Sequence, residues 1–174
     1  MKGTIVKCLE ELVVTQFGQD KWEKSLEGAG LSTTTVFWPM SDFDDALVMQ
    51  VVESVCKTLG ISLIQAADAF GDYWVNVYSQ KMYPLYFTQH TTARDFLLDM
   101  NNVHVAMTRT IENASPPRFR YEWLDDDKTL IMHYQSHRGL VDFVVGLAKG
   151  VGKHYQEDLQ VTRTGPDRVQ IVFA

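Results

Sequence analysis

A chain of 174 residues favours one domain and allows a sizeable core. Hydrophobic residues at 45% and charged residues at 22% are ordinary for a soluble globular protein. Lys+Arg 16 against Asp+Glu 22 leaves a net charge of −6, and with no basic run this argues against nucleic acid as a partner.

The opening, MKGTIVKCLEELVV, is too interrupted by charge for a signal peptide, and no apolar run reaches membrane-spanning length. Cys8 and Cys56 form neither a CxxC motif nor a disulfide framework, which fits a reducing compartment. The expectation is a cytoplasmic protein with no membrane partner. No repeat, low-complexity tract or linker divides the chain, so residues 1–174 are expected to form a single domain.

Ile5, Leu9, Leu12 and Val13 recur at helical spacing up to a stop at Gly18. Asp20 reads as the cap of a short helix carrying Trp22 and Leu26, ended by Gly28 and Gly30. TTTVFWPM is a loop or short extended piece. Asp42 to Asp45 cap a helix with Val48, Val51, Val52 and Val55 inside, closing at Gly60. Ser62 to about Ser79 is an aromatic-rich helix, and Pro84 interrupts the chain. A long helix is predicted from Thr91 or Thr92 to about Glu112. It sets Leu97, Met100, His104, Met107 and Ile111 on one face and stops before Ser115-Pro116-Pro117.

The period then changes. Phe119–Leu124 and Thr129–Ser136 alternate around an Asp125–Asp127 turn and read as a hairpin. Arg138 to about Tyr155 is helical. Leu159–Thr162 and Arg168–Phe173 close the chain as strands joined at Gly165-Pro166-Asp167. Helices first, then a small antiparallel sheet with one inserted helix, make an α+β fold.

Three features bear on chemistry. His104 lies on an apolar helix face between Met100 and Met107. A neutral imidazole there can ligate a metal through one nitrogen. Without partner ligands nearby it makes a poor zinc site, yet an adequate axial ligand for haem, whose porphyrin supplies four nitrogens. The plainer alternative is a core histidine bonded to a backbone carbonyl. Tyr134, Ser136 and Arg138 alternate at the end of a strand and present a phenol, a hydroxyl and a guanidinium to one side, above apolar Leu130 and Met132. Such a face suits an amphiphilic dicarboxylate such as haem; an exposed polar strand end reads equally well. Pro116-Pro117 is a helix stop, or a ring pressed on a macrocycle.

Together these features resemble the haem nitric oxide/oxygen binding (H-NOX) family, which includes the haem domain of soluble guanylate cyclase and bacterial stand-alone sensors. The Tyr-x-Ser-x-Arg motif stands as Tyr134-x-Ser136-x-Arg138, the family's proximal histidine matches His104 in NNVHVAMTR, and its haem-distorting proline matches Pro117. The opening Met-Lys-Gly-Thr-Ile and the Ala-Phe-Gly-Asp-Tyr-Trp stretch at 69–74 are similar too. The resemblance implies haem b buried between the helical part and the sheet. His104 would bind its iron, with Met100 and Met107 on the proximal side. Tyr134, Ser136 and Arg138 would hold the propionates, and Pro117 and Ile5 would distort the ring. The distal pocket would be lined by Ile5, Leu9, Trp74, Tyr78, Phe143 and Leu147.

Oxygen-binding members carry a distal tyrosine, and the matching position here is Phe143, which has no donor. A distal donor stabilises bound O2 more than bound NO or CO. The resemblance therefore implies an NO sensor without a stable O2 complex, with an O2 sensor as the alternative and Trp74 or Tyr78 as its possible donor. In NO-sensing relatives NO weakens the bond opposite it and releases the histidine, here His104. The resulting shift would be read by a separately encoded histidine kinase or cyclic-di-GMP enzyme. The chain is not expected to be an enzyme. A haem peroxidase or oxygenase would want a distal acid–base histidine or arginine, and the six distal positions contain none. A thiol-based sensor would need reactive cysteines, and Cys8 and Cys56 read as packing residues. Two cysteines are too few for the zinc cluster of some relatives, so no zinc is expected. His90 and His154 are expected at the surface.

Overall fold

The computed structural model describes residues 1–124 and 127–174. It resolves into two compact units, residues 1–66 and 67–174.

The first unit is helical. Helix α1 (Gly3–Phe17) buries Val6, Leu9, Leu12 and Val13, the 3–4 spacing of one apolar stripe. Gly18, at φ 98°, turns the chain directly into α2 (Gln19–Gly28). Gly18 therefore holds the cap position expected for Asp20. Asp20 lies in the first turn instead, where a carboxylate favours the positive end of the helix. Helix α3 (Asp45–Leu59) is capped by Asp44, whose carboxylate accepts from the Ala46 amide at 2.7 Å, and it ends at left-handed Gly60. TTTVFWPM is irregular, as expected. Its Phe37 is buried, edge-on to Trp22 at 6.3 Å and tilted against Phe43 at 5.0 Å.

Helix α4 (Leu63–Tyr73) opens with a reciprocal cap. The Ser62 amide donates to Gln65 Oε1 at 2.8 Å, and the Gln65 amide donates to Ser62 Oγ at 3.2 Å. From residue 67 onward it belongs to the second unit. There it runs into one π-helical turn, Trp74–Tyr78, and then α5 (Ser79–Met82). The looser turn releases carbonyls that side chains recover. Ser79 Oγ donates to the Trp74 carbonyl and Gln80 Nε2 to that of Val75, the latter at 2.8 Å. Pro84 does not merely interrupt the chain. It occupies the first turn of α6 (Pro84–Thr88), where a missing N–H costs nothing.

The predicted long helix at 91–112 is two. Helix α7 (Ala93–Leu98) is capped by Thr92, and α8 (Met100–Thr108) follows a break at Asp99, φ −89°, ψ 2°. The Asp99 carboxylate accepts from Asn102 Nδ2 at 2.6 Å and faces His90 Nε2 at 3.1 Å, so its side chain is tied to local partners rather than to a continuing helix. Leu97 thus precedes the break, Ile111 follows the end of α8, and only Met100, His104 and Met107 share a helix.

Strands β1 (Arg118–Trp123) and β2 (Thr129–Gln135) form the expected hairpin. Of its predicted acidic turn, Asp125 and Asp126 lie outside the described residues. Helix α9 (Val141–Tyr155) precedes β3 (Gln160–Arg163) and β4 (Arg168–Val172), in an antiparallel sheet of order β1-β2-β4-β3. Leu130, Met132 and Tyr134 are buried on one face of β2 while Ile131, His133 and Gln135 alternate outward, and α9 covers that inner face with Val141, Val144, Val145 and Ala148.

Glycine lets α4 and the π turn meet α9 closely. A Cβ added at Gly146 would lie 2.1 Å from the Ala67 carbonyl oxygen, and one at Gly71 2.1 Å from the Gly146 carbonyl carbon. Asn76 Nδ2 donates to the Gly150 carbonyl at 3.2 Å across the same contact. Gly146→Ala is expected to destabilise the chain by about 1–3 kcal/mol through overpacking. Thermal unfolding followed by circular dichroism should show a melting point lowered by roughly 5 °C; an unchanged melting point would refute the close-packing account.

Candidate functional site

His104 sits in the middle of α8 and is half-buried. Its Nδ1 lies 3.2 Å from the Pro117 carbonyl oxygen. A carbonyl only accepts, so Nδ1 carries the proton and Nε2 keeps its lone pair. Nε2 has no hydrogen-bond partner among the described residues. Burial pushes the imidazole below the ordinary histidine value; the Pro117 bond offsets part of this, and the Arg118 guanidinium adds to it. A neutral imidazole in a fixed tautomer with one bare nitrogen is the ligating form of histidine, and a carbonyl behind the other nitrogen is the usual orienting partner.

The helix is fastened to the sheet next to this residue. Asn101 Nδ2 donates to the Phe119 carbonyl at 2.8 Å, and the Phe119 amide donates to Asn101 Oδ1 at 2.9 Å. Tyr121 Oη donates to the Leu97 carbonyl at 2.9 Å; burial first, then Asp99, pushes this phenol up to about 12. Sequence reasoning missed Asn101. An asparagine inside a helix carries no signal of its own, and only the approach of β1 gives its amide two partners. Met100 packs against the core, and Met107 is half-buried one turn beyond His104.

The structure joins this histidine to the Tyr134-x-Ser136-x-Arg138 motif. The His104 ring lies 6.0 Å from Phe119, and Phe119 lies 6.1 Å from Tyr134, its cross-strand partner in the register. Tyr134 is buried with a relative exposure of 6%, yet its hydroxyl meets no hydrogen-bond partner among the described residues. No fully buried side-chain oxygen is left unpaired there, so this hydroxyl is open to an outside group. Strand β2 ends at Gln135, so Ser136 and Arg138 lie in the turn that follows rather than on the strand. Ser136 Oγ accepts from the Arg138 amide at 3.4 Å. Arg138 Nη1 donates to the Ser115 carbonyl at 2.7 Å and so reaches the segment that carries Pro117.

The remaining expected residues fall in both units. Ile5, half-buried, and Leu9, buried, stand one turn apart on α1 in the first. Trp74, Tyr78, Phe143 and Leu147 belong to the second. Trp74 stacks on Phe70 at 5.8 Å and on Tyr78 at 5.4 Å, and Phe143 meets Phe70 edge-on at 5.5 Å. The π turn thus carries the Trp74 and Tyr78 rings. The Trp74 indole N–H has no partner among the described residues, whereas Tyr78 makes a polar or ring contact of its own.

Two histidines expected at the surface are partly buried. His90 is held between the Tyr86 carbonyl at 2.9 Å and Asp99, and His154 lies against Phe87 at 4.9 Å, where burial lowers its basicity. Both meet the short helix α6, through Tyr86 and Phe87, which a count of helix ends does not foresee. Cys8 is buried, and burial pushes the half-buried Cys56 thiol up, away from a reactive thiolate. Among the described residues no single helix is long and apolar enough to cross a membrane.

The profile of the Haem-NO-binding family matches residues 2–163. The soluble guanylate cyclase gcy-32 of Caenorhabditis elegans is 27% identical over 175 residues, covering 98% of this chain, and soluble guanylate cyclase 89Da of Drosophila melanogaster is 22% identical over 158 residues, covering 89%. The chain spans about a quarter of the length of these curated relatives, 25% and 23%. Among solved structures, the Cs H-NOX mutant superposes with a TM-score of 0.83 at 26% identity, covering 99% of this chain and 96% of that one. An oxygen-binding H-NOX domain related to soluble guanylate cyclases reaches 0.78 at 26% identity, covering 99% and 95%. The H-NOX protein from S. oneidensis, solved in its Fe(II)NO state, shares the fold with a TM-score of 0.85 at 21% identity, covering 100% and 98%. This chain belongs to the Haem-NO-binding family, the haem-based gas-sensor domains related to soluble guanylate cyclase.

Proposed function

We propose that residues 1–174 act as one haem-binding sensor domain selective for NO, with His104 as the iron ligand. The observation that carries this reading is the His104 Nδ1–Pro117 carbonyl bond, which leaves Nε2 bare on a neutral ring. The donor set fits haem b. One imidazole suffices because the porphyrin supplies four nitrogens, and the Tyr134 hydroxyl, the Ser136 hydroxyl and the Arg138 guanidinium suit two carboxylates. When bound, the haem supplies an iron site for NO and CO.

The residues around that site do the rest. Pro117 orients the imidazole through its carbonyl, and Met100 and Met107 line the same side of α8. By the family resemblance, Ile5, Leu9, Trp74, Tyr78, Phe143 and Leu147 would line the distal side of a bound haem, and Pro117 and Ile5 would distort it. Phe143 offers no hydrogen bond, which disfavours O2 more than NO. Release of His104 by NO would leave α8 held by the Asn101–Phe119 pair and no longer by the histidine's bond to a bound haem, and the resulting shift would regulate a separate histidine kinase or cyclic-di-GMP enzyme. The domain performs no catalysis itself and works in the cytoplasm. One observation favours the alternative of an O2 sensor: the unpartnered Trp74 indole N–H on the π turn.

The test is the visible spectrum of the reduced protein under argon, then with NO, with CO and in air, each separately. Haem uptake, loss of histidine ligation with NO and no stable complex in air are expected. An oxygen complex stable in air would move the assignment to O2, and a folded protein that takes up no haem after reconstitution would return His104 to a packing role.

A further inference from the structure

Beside the motif lies a cleft of about 520 Å³, walled by the end of α8, the segment before β1 and the turn after β2. That volume is in the range of small-ligand sites, about 300–1,000 Å³. Arg109 and Arg118 line it, with Ser115, Gln135 and Ser136, and no carboxylate does among the described residues. Neither guanidinium has a carboxylate partner among the described residues. In a chain with 22 acids against 16 bases, two uncompensated arginines in one concavity run against the overall charge.

We propose that this cleft binds a small phosphorylated anion, with Arg109 and Arg118 holding its phosphoryl groups. A guanidinium presents a planar fork that matches two phosphoryl oxygens, and the Gln135 amide adds a neutral donor. The wall includes Ser115, Pro116 and Arg118, and Pro117 between them accepts the His104 bond. An anion clamped there bears on the backbone that orients the histidine. By linkage, whatever it does to gas binding, gas binding does in return to the anion. The site goes beyond gas sensing and adds a second ligand to the same domain.

The test is calorimetric titration of the haem-loaded protein with pyrophosphate, ATP and citrate at one ionic strength. Pyrophosphate and ATP are expected to bind alike and at least about tenfold tighter than citrate, with affinity falling as salt rises. Arg109→Gln with Arg118→Gln should weaken both at least about tenfold, the size of losing a charge-assisted bond. Arg120→Gln, on the outer sheet face, should change them by less than about twofold. If the double variant does not fold, exposed Arg109→Gln alone carries the comparison. No binding, citrate binding as well as pyrophosphate, ATP binding without pyrophosphate, or an unaffected arginine variant would each overturn the proposal. So would binding confined to haem-free protein, which would assign the cleft to the haem propionates. Haem loading is checked by the visible spectrum before titration, so a haem-loaded protein that forms a stable complex in air overturns the NO reading while its titration still tests the cleft.

Discussion

His104→Gly is expected to lower haem affinity by about a hundredfold or more and to recover a histidine-like spectrum when imidazole is added. Removing an outer partner of a metal ligand already costs about 10–100-fold, and here the proposed ligand itself goes. The substitution leaves the Pro117 carbonyl without its donor, though not the anchorage of α8, because Asn101 still meets Phe119 at both its amide atoms. Glycine within α8 costs about 1 kcal/mol of helix stability, so the variant should fold, and far-ultraviolet circular dichroism checks that it does. The imidazole-rescued protein should regulate the proposed partner as the NO-bound state does, since the added base is not attached to α8. Equal haem affinity in the variant would remove His104 from the iron. Regulation like that of unliganded wild type would instead keep the ligand and discard the release mechanism.

Phe143→Tyr is expected to raise O2 affinity by about one to two decades. A hydrogen bond to a partly charged ligand is worth about 1.5–3 kcal/mol, and 1.4 kcal/mol is a factor of ten. Phe143 lies in the first turn of α9, half-buried and edge-on to Phe70, so a phenol keeps the ring packing and adds one donor. NO affinity should change far less, because NO draws less on a distal donor. The readout is the oxygen-dependent spectrum of the reduced protein, with Phe143→Leu as the control that removes the ring without adding a donor. No gain in O2 affinity from tyrosine would mean that this position does not face the ligand. Gas selectivity would then pass to the π-turn aromatics, with Trp74→Phe as the next comparison.

Local chemistry written in the chain determined most of the elements. The Val48, Val51, Val52 and Val55 stripe, the Asp44 cap and left-handed Gly60 define α3 without reference to any neighbour, because periodicity, capping and positive φ are properties of a few adjacent residues. Strict alternation through Leu130, Met132 and Tyr134 likewise determined which face of β2 meets the core, since a one-residue slip would expose all three. His104 and the Tyr134, Ser136 and Arg138 motif were legible as residue types at a spacing.

Tertiary structure decided what those residues meet. The break at Asp99 splits a segment whose apolar periodicity runs on unbroken, because the Asp99 carboxylate finds His90 and Asn102. The same holds for Asn101, whose two bonds need β1 beside it, and for His90 and His154, which are half-buried against α6. Which imidazole nitrogen is bare follows from a carbonyl 13 residues away along the chain. Hydrogen-bond direction depends on the position of the acceptor in space, and no local pattern encodes it. The paired arginines of the cleft come together for that reason alone: Arg109 ends one element, Arg118 begins another, and only the packing of α8 on β1 makes them one site.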